Sequence, residues 1–262
     1  MSTLTWLGHS TVTIDIDGTR VVTDPLLRRR VAHLRRRTPV ETPLRVDGIL
    51  VSHAHYDHLD LPSLTRLDRA LPVVVPRGIG RLVRRRGFTN VVEVAPGDDV
   101  RIGDLRITAT PAVHSGSRHP FAAAAPALGY VVAGSASVYF AGDTDLFAGM
   151  ESIGPVDAAL LPVSGWGARL PAGHLDPQRA ADALRLLRPR LAIPIHWGTY
   201  RTPFAAAPSD EPARAFARAA AERAPSVVVR VLPLGGSCQI DAPASPPSDD
   251  AAAVATRLPR QP

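Results

Sequence analysis

Ser52-His53-Ala54-His55-Tyr56-Asp57-His58 packs four metal-ligand side chains into six residues, directly after the apolar run Gly48-Ile49-Leu50-Val51. Four such groups so close together cannot all reach one ion. Residues two apart in an extended segment share a face, so His53 and His55 can grip one cation. Asp57 and His58, after the chain turns, can grip a second. Imidazole with carboxylate and no thiolate suits zinc, with manganese and iron as alternatives. Outward along the chain the same setting recurs: His114 closes Ile107-Thr108-Ala109-Thr110-Pro111-Ala112-Val113, Asp143 follows Val138-Tyr139-Phe140-Ala141-Gly142, and His196 follows Leu191-Ala192-Ile193-Pro194-Ile195. A lone histidine is more often structural. Ligand types repeated at the ends of β-runs, where strands converge on one sheet edge, make a shared metal site the better reading.

Between these points the chain alternates short Val-, Ile-, Leu- and Thr-rich runs with a few helical segments. Runs such as Thr11–Ile16, Arg20–Thr23, Gly48–Ser52, Val91–Val94, Arg101–Thr108 and Leu191–Ile195 read as strands bounded by Gly, Pro or Asp. Asp17-Gly18 marks a hairpin. Asp176-Pro177 opens the clearest helix, with Ala180, Ala181, Leu184 and Leu187 at helical spacing before Pro189. Further helices are expected near Leu61–Ala70, Gly78–Arg86, Leu146–Ile153 and Glu211–Arg223. Strands and helices mixed in each half favour two sheets flanked by helices, an α/β class. Residues 242–262, rich in Pro, Ala, Ser and Asp, read as a disordered tail behind one domain of residues 1–241.

Composition narrows the function. The chain has 262 residues, 45% hydrophobic and 21% charged, ordinary for a globular protein. All 30 of its cationic Lys/Arg positions are arginine, which points to compositional bias and weakens any inference from the net charge of +6. No apolar run approaches the ~20 residues of a membrane span. The opening MSTLTWLGHSTVTI has neither a basic nor an apolar leader region, so a cytoplasmic location is expected. Cys238 is the sole cysteine, which excludes an intrachain disulfide and a multi-thiolate metal site.

HxHxDH followed by isolated His, Asp and His at strand ends resembles the metallo-β-lactamase superfamily, over nearly the whole chain from Thr5 to Gly235. The segments TWLGHST, Thr23-Asp24-Pro25, HYDHLD, FAGDT and Ile195-His196-Trp197-Gly198-Thr199 are similar to one branch of it. That branch holds bacterial metal-dependent hydrolases, L-ascorbate-6-phosphate lactonases and N-acyl-phosphatidylethanolamine phospholipase D. The resemblance implies an αββα four-layer sandwich with two divalent metals at the sheet edge. It also implies that His53, His55 and His114 hold one ion, that Asp57, His58 and His196 hold the other, and that Asp143 bridges them. Two adjacent cations lower the pKa of water between them and supply hydroxide near neutral pH, so no serine or cysteine nucleophile is needed. Asp57 and Asp143 can orient that nucleophile as well as ligate.

His174, in Ala172-Gly173-His174-Leu175-Asp176, stands at a helix entrance. The resembling lactonases and phospholipase D carry a histidine there, which implies a role toward substrate or leaving group. The alternative is a capping residue. His9 and Asp24 are candidates to orient ligands from behind, His9 for the site generally and Asp24 for His53 or His58. His33 and His119 have no such context and read as surface residues. The runs Arg28–Arg30 and Arg35–Arg37 could overhang the site and select a small anionic substrate, although most charge runs are solvated faces.

These residues point to a hydrolase, with a phosphodiester or a phosphorylated small molecule as the expected substrate and lactone or carboxylic-ester hydrolysis as the alternative. A nuclease would rest on charge alone, without interleaved aromatics or room for an added domain. A redox di-iron protein would replace His55 with Glu and add a flavin domain. A non-catalytic metal-stabilised binding module would be expected to lack some ligands. Homo-oligomerisation is left open.

Overall fold

Alternation decides the first strand: Leu4 and Trp6 are buried, while Thr3, Thr5 and Leu7 between them are only partly covered. The computed structural model describes residues 2–41, 43–116, 125–165, 170–201 and 210–240. The proposed tail at 242–262 lies outside them.

In chain order the first half forms β1 (Ser2–Gly8), β2 (Thr11–Ile16), β3 (Thr19–Thr23), β4 (Arg30–Val31), β5 (Leu34–Arg36), β6 (Gly48–Leu50), α1 (Leu61–Leu64), β7 (Val73–Pro76), α2 (Gly80–Arg84) and β8 (Val91–Val94). The second half forms β9 (Asp99–Ile102), β10 (Leu105–Ser115), β11 (Pro126–Ala133), β12 (Ser137–Phe140), a 3-10 turn (Ala148–Ser152), β13 (Ala158–Pro162), α3 (Pro177–Leu187), β14 (Leu191–Ile195), β15 (Tyr200–Arg201), α4 (Glu211–Arg223), β16 (Val228–Val229) and β17 (Ser237–Ile240).

Two seven-stranded sheets result, ordered β17-β1-β2-β3-β6-β7-β8 and β16-β14-β13-β12-β11-β10-β9. A small sheet β15-β5-β4 stands beside them. Each large sheet is antiparallel on one side and parallel on the other, the change falling at β3 and at β12. A larger core, including Leu4, Trp6, Ile14, Tyr130, Phe140, Leu160 and Phe216, joins both sheets with α3 and α4. A second core of Val22, Ile49, Leu64, Val75, Val83 and Phe88 fills the space between the first sheet and α1 and α2. This is the four-layer α/β sandwich expected, of the metallo-β-lactamase fold.

Three expectations are corrected by local physics. The run Arg101–Thr108 is not one strand, because Gly103 at φ 54 turns the chain and splits it into β9 and β10, which pair with each other. The helix expected over Leu61–Ala70 closes after Leu64. The segment Leu146–Ile153 forms only a 3-10 turn. The helix opened by Asp176 runs to Leu187, and its Asp176 side chain accepts from the Arg179 amide.

Direction of travel positions the site. β1 and β3 run parallel to β6, because each neighbouring pair among β1, β2 and β3 is antiparallel. By the same count β10 runs parallel to β12, and β13 and β14 continue in that sense. The C-terminal ends of β1, β3 and β6, and those of β10, β12 and β14, therefore open on one edge of each sheet. Those six ends are followed by, or contain, His9, Asp24, the His53–His58 segment, His114, Asp143 and His196.

Candidate metal centre

The seven side chains expected to ligate converge. His55 Nδ1 lies 2.9 Å from His53 Nε2 and 3.2 Å from His114 Nε2, a triangle of three ring nitrogens. With Zn–N near 2.0–2.1 Å, tetrahedral nitrogens would stand about 3.3 Å apart, so the triangle is close to the size of one ion's ligand face. Asp57 Oδ2 lies 3.5 Å from His58 Nε2 and 3.7 Å from His196 Nε2. Asp143 stands between the two groups, with Oδ2 3.1 Å from His58 Nε2 and Oδ1 3.5 Å from His196 Nε2. It also falls in a group with His53 and His58 and in another with His114 and His174, each compact enough to hold an ion.

The donor set fits divalent metal on a structural ground. Among the described residues, His58 Nε2, Asp143 Oδ1 and both ring nitrogens of His196 are fully buried with no hydrogen-bond partner. Buried polar atoms are ordinarily matched, and leaving several unmatched at one place is costly unless an ion satisfies them.

Behind the cluster, a carboxylate, a hydroxyl and a carbonyl fix which nitrogen faces it. Asp24 accepts from the Ser52 amide (2.7 Å), the Ser52 hydroxyl (2.6 Å) and His58 Nδ1 (2.7 Å). The single Ser52 hydroxyl proton is thus committed to Asp24, and its oxygen accepts from His53 Nδ1 at 2.9 Å. The Gly173 carbonyl accepts from His114 Nδ1 at 2.8 Å. In all three histidines Nδ1 faces an acceptor behind the cluster and Nε2 faces inward, so that with an ion bound Nδ1 would keep its proton and Nε2 would be the ligating nitrogen, the pattern that orients and strengthens imidazole ligands. Asp24 therefore serves His58 directly and His53 through Ser52, both of the alternatives raised by the sequence.

His9 lies against the cluster. Its Nε2 lies 3.0 Å from Asp57 Oδ2, and its ring packs 3.9 Å from that of His196. The His9 carbonyl accepts from Trp6 Nε1 and from the His196 amide, each at 2.9 Å, and the Trp6 and Trp197 rings stack beneath at 4.7 Å. His9, Asp24 and His196 all adopt positive φ (55, 34 and 63°), backbone strain concentrated at the cluster. Gly142, at φ 60, delivers Asp143, and a Cβ there would meet Ser52 Cβ at 2.6 Å and the Leu128 carbonyl at 2.9 Å. Only glycine fits.

Electrostatics divide the cluster. Burial holds His9 down to about 3 and His114 to about 4, and pushes His53 well below the ordinary histidine range. Burial acts the same way on His58, but Asp143, Asp57 and Asp24 outweigh it and hold His58 well above that range. Burial would raise Asp143, yet His196 and His58 keep it far below the usual carboxylate value.

His174 lies half-buried, Nε2 3.4 Å from Asp143 Oδ2, with Nδ1 3.2 Å from the Pro171 carbonyl. His33 is exposed at the β4–β5 turn, and His119 lies outside the described residues. The arginine runs do not form one free cationic overhang. Arg28 grips Asp60 through two hydrogen bonds (2.9 and 2.7 Å), and Arg37 donates to the Gly198 carbonyl. Arg36 is buried, donating to the carbonyls of Leu7, Leu26 and Thr38 and to the Tyr200 hydroxyl. Sequence reasoning missed Ser52, the Gly173 carbonyl and Arg36. Ser52 had a signal, its place between a strand and the first histidine; Arg36, one arginine among three, had none.

Residues 19–197 match the model of the Beta-lactamase superfamily domain. A UPF0173 metal-dependent hydrolase of Methanopyrus kandleri is 36% identical over 205 residues, covering 75% of this chain and 84% of that protein. N-acyl-phosphatidylethanolamine-hydrolyzing phospholipase D 1 of Caenorhabditis elegans is 33% identical over 232 residues, 75% of this chain and 64% of that one. A metallo hydrolase from Ignicoccus hospitalis superposes with a TM-score of 0.69 at 25% identity, covering 92% of this chain and 98% of its own.

Proposed function

The chain belongs to the metal-dependent hydrolases of the beta-lactamase superfamily, and from that premise we propose a dinuclear enzyme that hydrolyses a phosphodiester or a phosphorylated small molecule. The observation that carries this reading is the set of buried, unmatched atoms on His58, Asp143 and His196, facing the triangle of His53, His55 and His114. His53, His55 and His114 would hold one ion and Asp57, His58 and His196 the other, with Asp143 shared. Zinc is the metal proposed; manganese or iron suit the same donors. When bound, the pair supplies Lewis acidity and hydroxide near neutral pH.

The chain's own residues do the rest. Asp24, Ser52, the Gly173 carbonyl and His9 hold the ligating groups in place. Asp143, buried and flanked by histidines, stays ionised. His174 has both ring nitrogens facing acceptors, so its ring is arranged to carry two protons and to pass the Nε2 proton to a leaving oxygen. The phospholipase D relative supports a phosphodiester. Lactone hydrolysis would use the same arrangement, so both substrates belong in the test. No helix among the described residues is long and apolar enough to cross a membrane, and a cytoplasmic location is part of the proposal.

The test compares metal-loaded wild type with Asp143→Ala and His174→Ala on a chromogenic phosphodiester and a chromogenic lactone, with metal content measured alongside. We expect phosphodiester turnover with about two metals per chain. It should be lost in Asp143→Ala and reduced about 10²- to 10⁴-fold in His174→Ala. Lactone turnover alone would overturn the substrate class. Full activity of His174→Ala would remove that residue from the chemistry.

A further inference from the structure

Beside the sheets that carry the metal cluster, the small sheet sets arginines directly against one another. Arg30 on β4 stands opposite Arg35 on β5, and Arg35 stands opposite Arg201 on β15. Residues opposite each other on adjacent strands share a face, so three guanidinium groups rise in one row, their strands about 4.8 Å apart. All three are exposed, as is neighbouring Arg29, and none of the four has an ion-pair partner among the described residues. Some arginines elsewhere are matched to carboxylates, as in Arg20–Asp15, Arg84–Glu93, Arg106–Asp99 and Arg223–Asp182. Like charges directly opposite destabilise a strand pair, and here the unfavourable pairing occurs twice in succession.

The row is also built to stay in place. Arg36, next to Arg35 but turned inward, is buried and spends its donors on the carbonyls of Leu7, Leu26 and Thr38 and on the Tyr200 hydroxyl. That anchors β5 to the ends of β1 and β3 and to β15 before any ligand arrives. Arg29, Arg30, Arg35 and Arg36 together line a cavity of about 370 Å³. Guanidinium forks match the paired oxygens of a phosphate. Among the described residues no exposed aromatic flanks the row, Tyr200 and Trp197 both being buried, so nothing there would stack nucleic-acid bases.

We propose that Arg30, Arg35 and Arg201, with Arg29, form a binding site for the phosphate group of a small phosphorylated molecule, separate from the His/Asp cluster. The anion relieves the repulsion along the row, and the cavity admits the group that carries the phosphate.

Calorimetric titration of inorganic phosphate at low ionic strength tests this on the metal-loaded protein and on the triple variant Arg30→Gln/Arg35→Gln/Arg201→Gln. Wild type should take up one more equivalent than the triple variant, or bind its single equivalent at least tenfold more tightly should the metal centre take none. The site therefore stands or falls independently of the metal reading. Equal uptake and affinity in both proteins would overturn it. Thermal unfolding guards against misfolding of the variant: without phosphate, Arg35→Gln alone should raise the melting midpoint by relieving repulsion, and added phosphate should raise the wild-type midpoint more. A lowered midpoint in Arg35→Gln would make the row structural and refute the site. Cosedimentation of wild type with phosphatidic acid vesicles, without saturable uptake of free phosphate, would assign the row to a membrane surface and refute the small-molecule ligand.

Discussion

Asp24 shows how much one residue outside the ligand set can carry. It is fully buried, and it is the acceptor for three donors, on the Ser52 amide, the Ser52 hydroxyl and the His58 ring. Asp24→Ala strands all three in a water-free setting, at about 1–3 kcal/mol for each buried donor left unmatched. It also frees His58 and His53 to rotate. Zinc affinity, measured by competition with a chromogenic chelator, should fall about 10- to 100-fold, while His33→Ala at the exposed β4–β5 turn should change nothing. Affinity equal to wild type would mean that the rings are held without Asp24. At this scale the candidate ligands were legible, because His53, His55, Asp57 and His58 sit in one short segment with an uncommon composition. Ser52 as a link between Asp24 and His53 was not, because a serine before a histidine says nothing of a carboxylate 28 positions upstream.

Among the elements, α3 is the one whose start was readable residue by residue. Its cap is local chemistry: Asp176 accepts from the Arg179 amide at 2.8 Å, Pro177 opens the first turn, and Arg188 ends the helix in a left-handed conformation. The loop ahead of that cap supplies the Gly173 carbonyl that holds His114. Asp176→Ala should therefore cost about 1 kcal/mol in urea unfolding, and an unchanged midpoint would show that packing of Leu184 and Leu187 alone holds the helix. The strands of the small sheet were not readable. β4 and β15 span two residues each and β5 three, too short for any alternation to register, and their arginines looked like solvated charge. β9 and β10 merged in the sequence because Gly103-Asp104 is a two-residue turn between similar apolar runs.

For the molecule as a whole, the cluster ties the two sheets together: His9, Asp24, His53, His55, Asp57 and His58 come from the first, and His114, Asp143 and His196 from the second. Metal bound there would act as a clasp between the two halves, stabilising the folded chain over the unfolded one. Stripping it with a chelator should lower the melting midpoint, with about 2.7 kcal/mol lost from a protein held at a hundredfold excess over Kd, and added zinc should restore it. A midpoint indifferent to both treatments would mean that the cluster holds no metal. The sequence by itself determined the candidate ligand types, their position at strand ends, the two-sheet class and the family, because each is written in short segments whose local pattern is sufficient. Tertiary structure alone decided which ring nitrogens face the cluster, that Arg36 is a buried anchor, and that Arg30, Arg35 and Arg201 stand in one row. Those depend on strand register and on distant partners, as with Arg36 and Tyr200, 164 positions apart, and no local pattern encodes them.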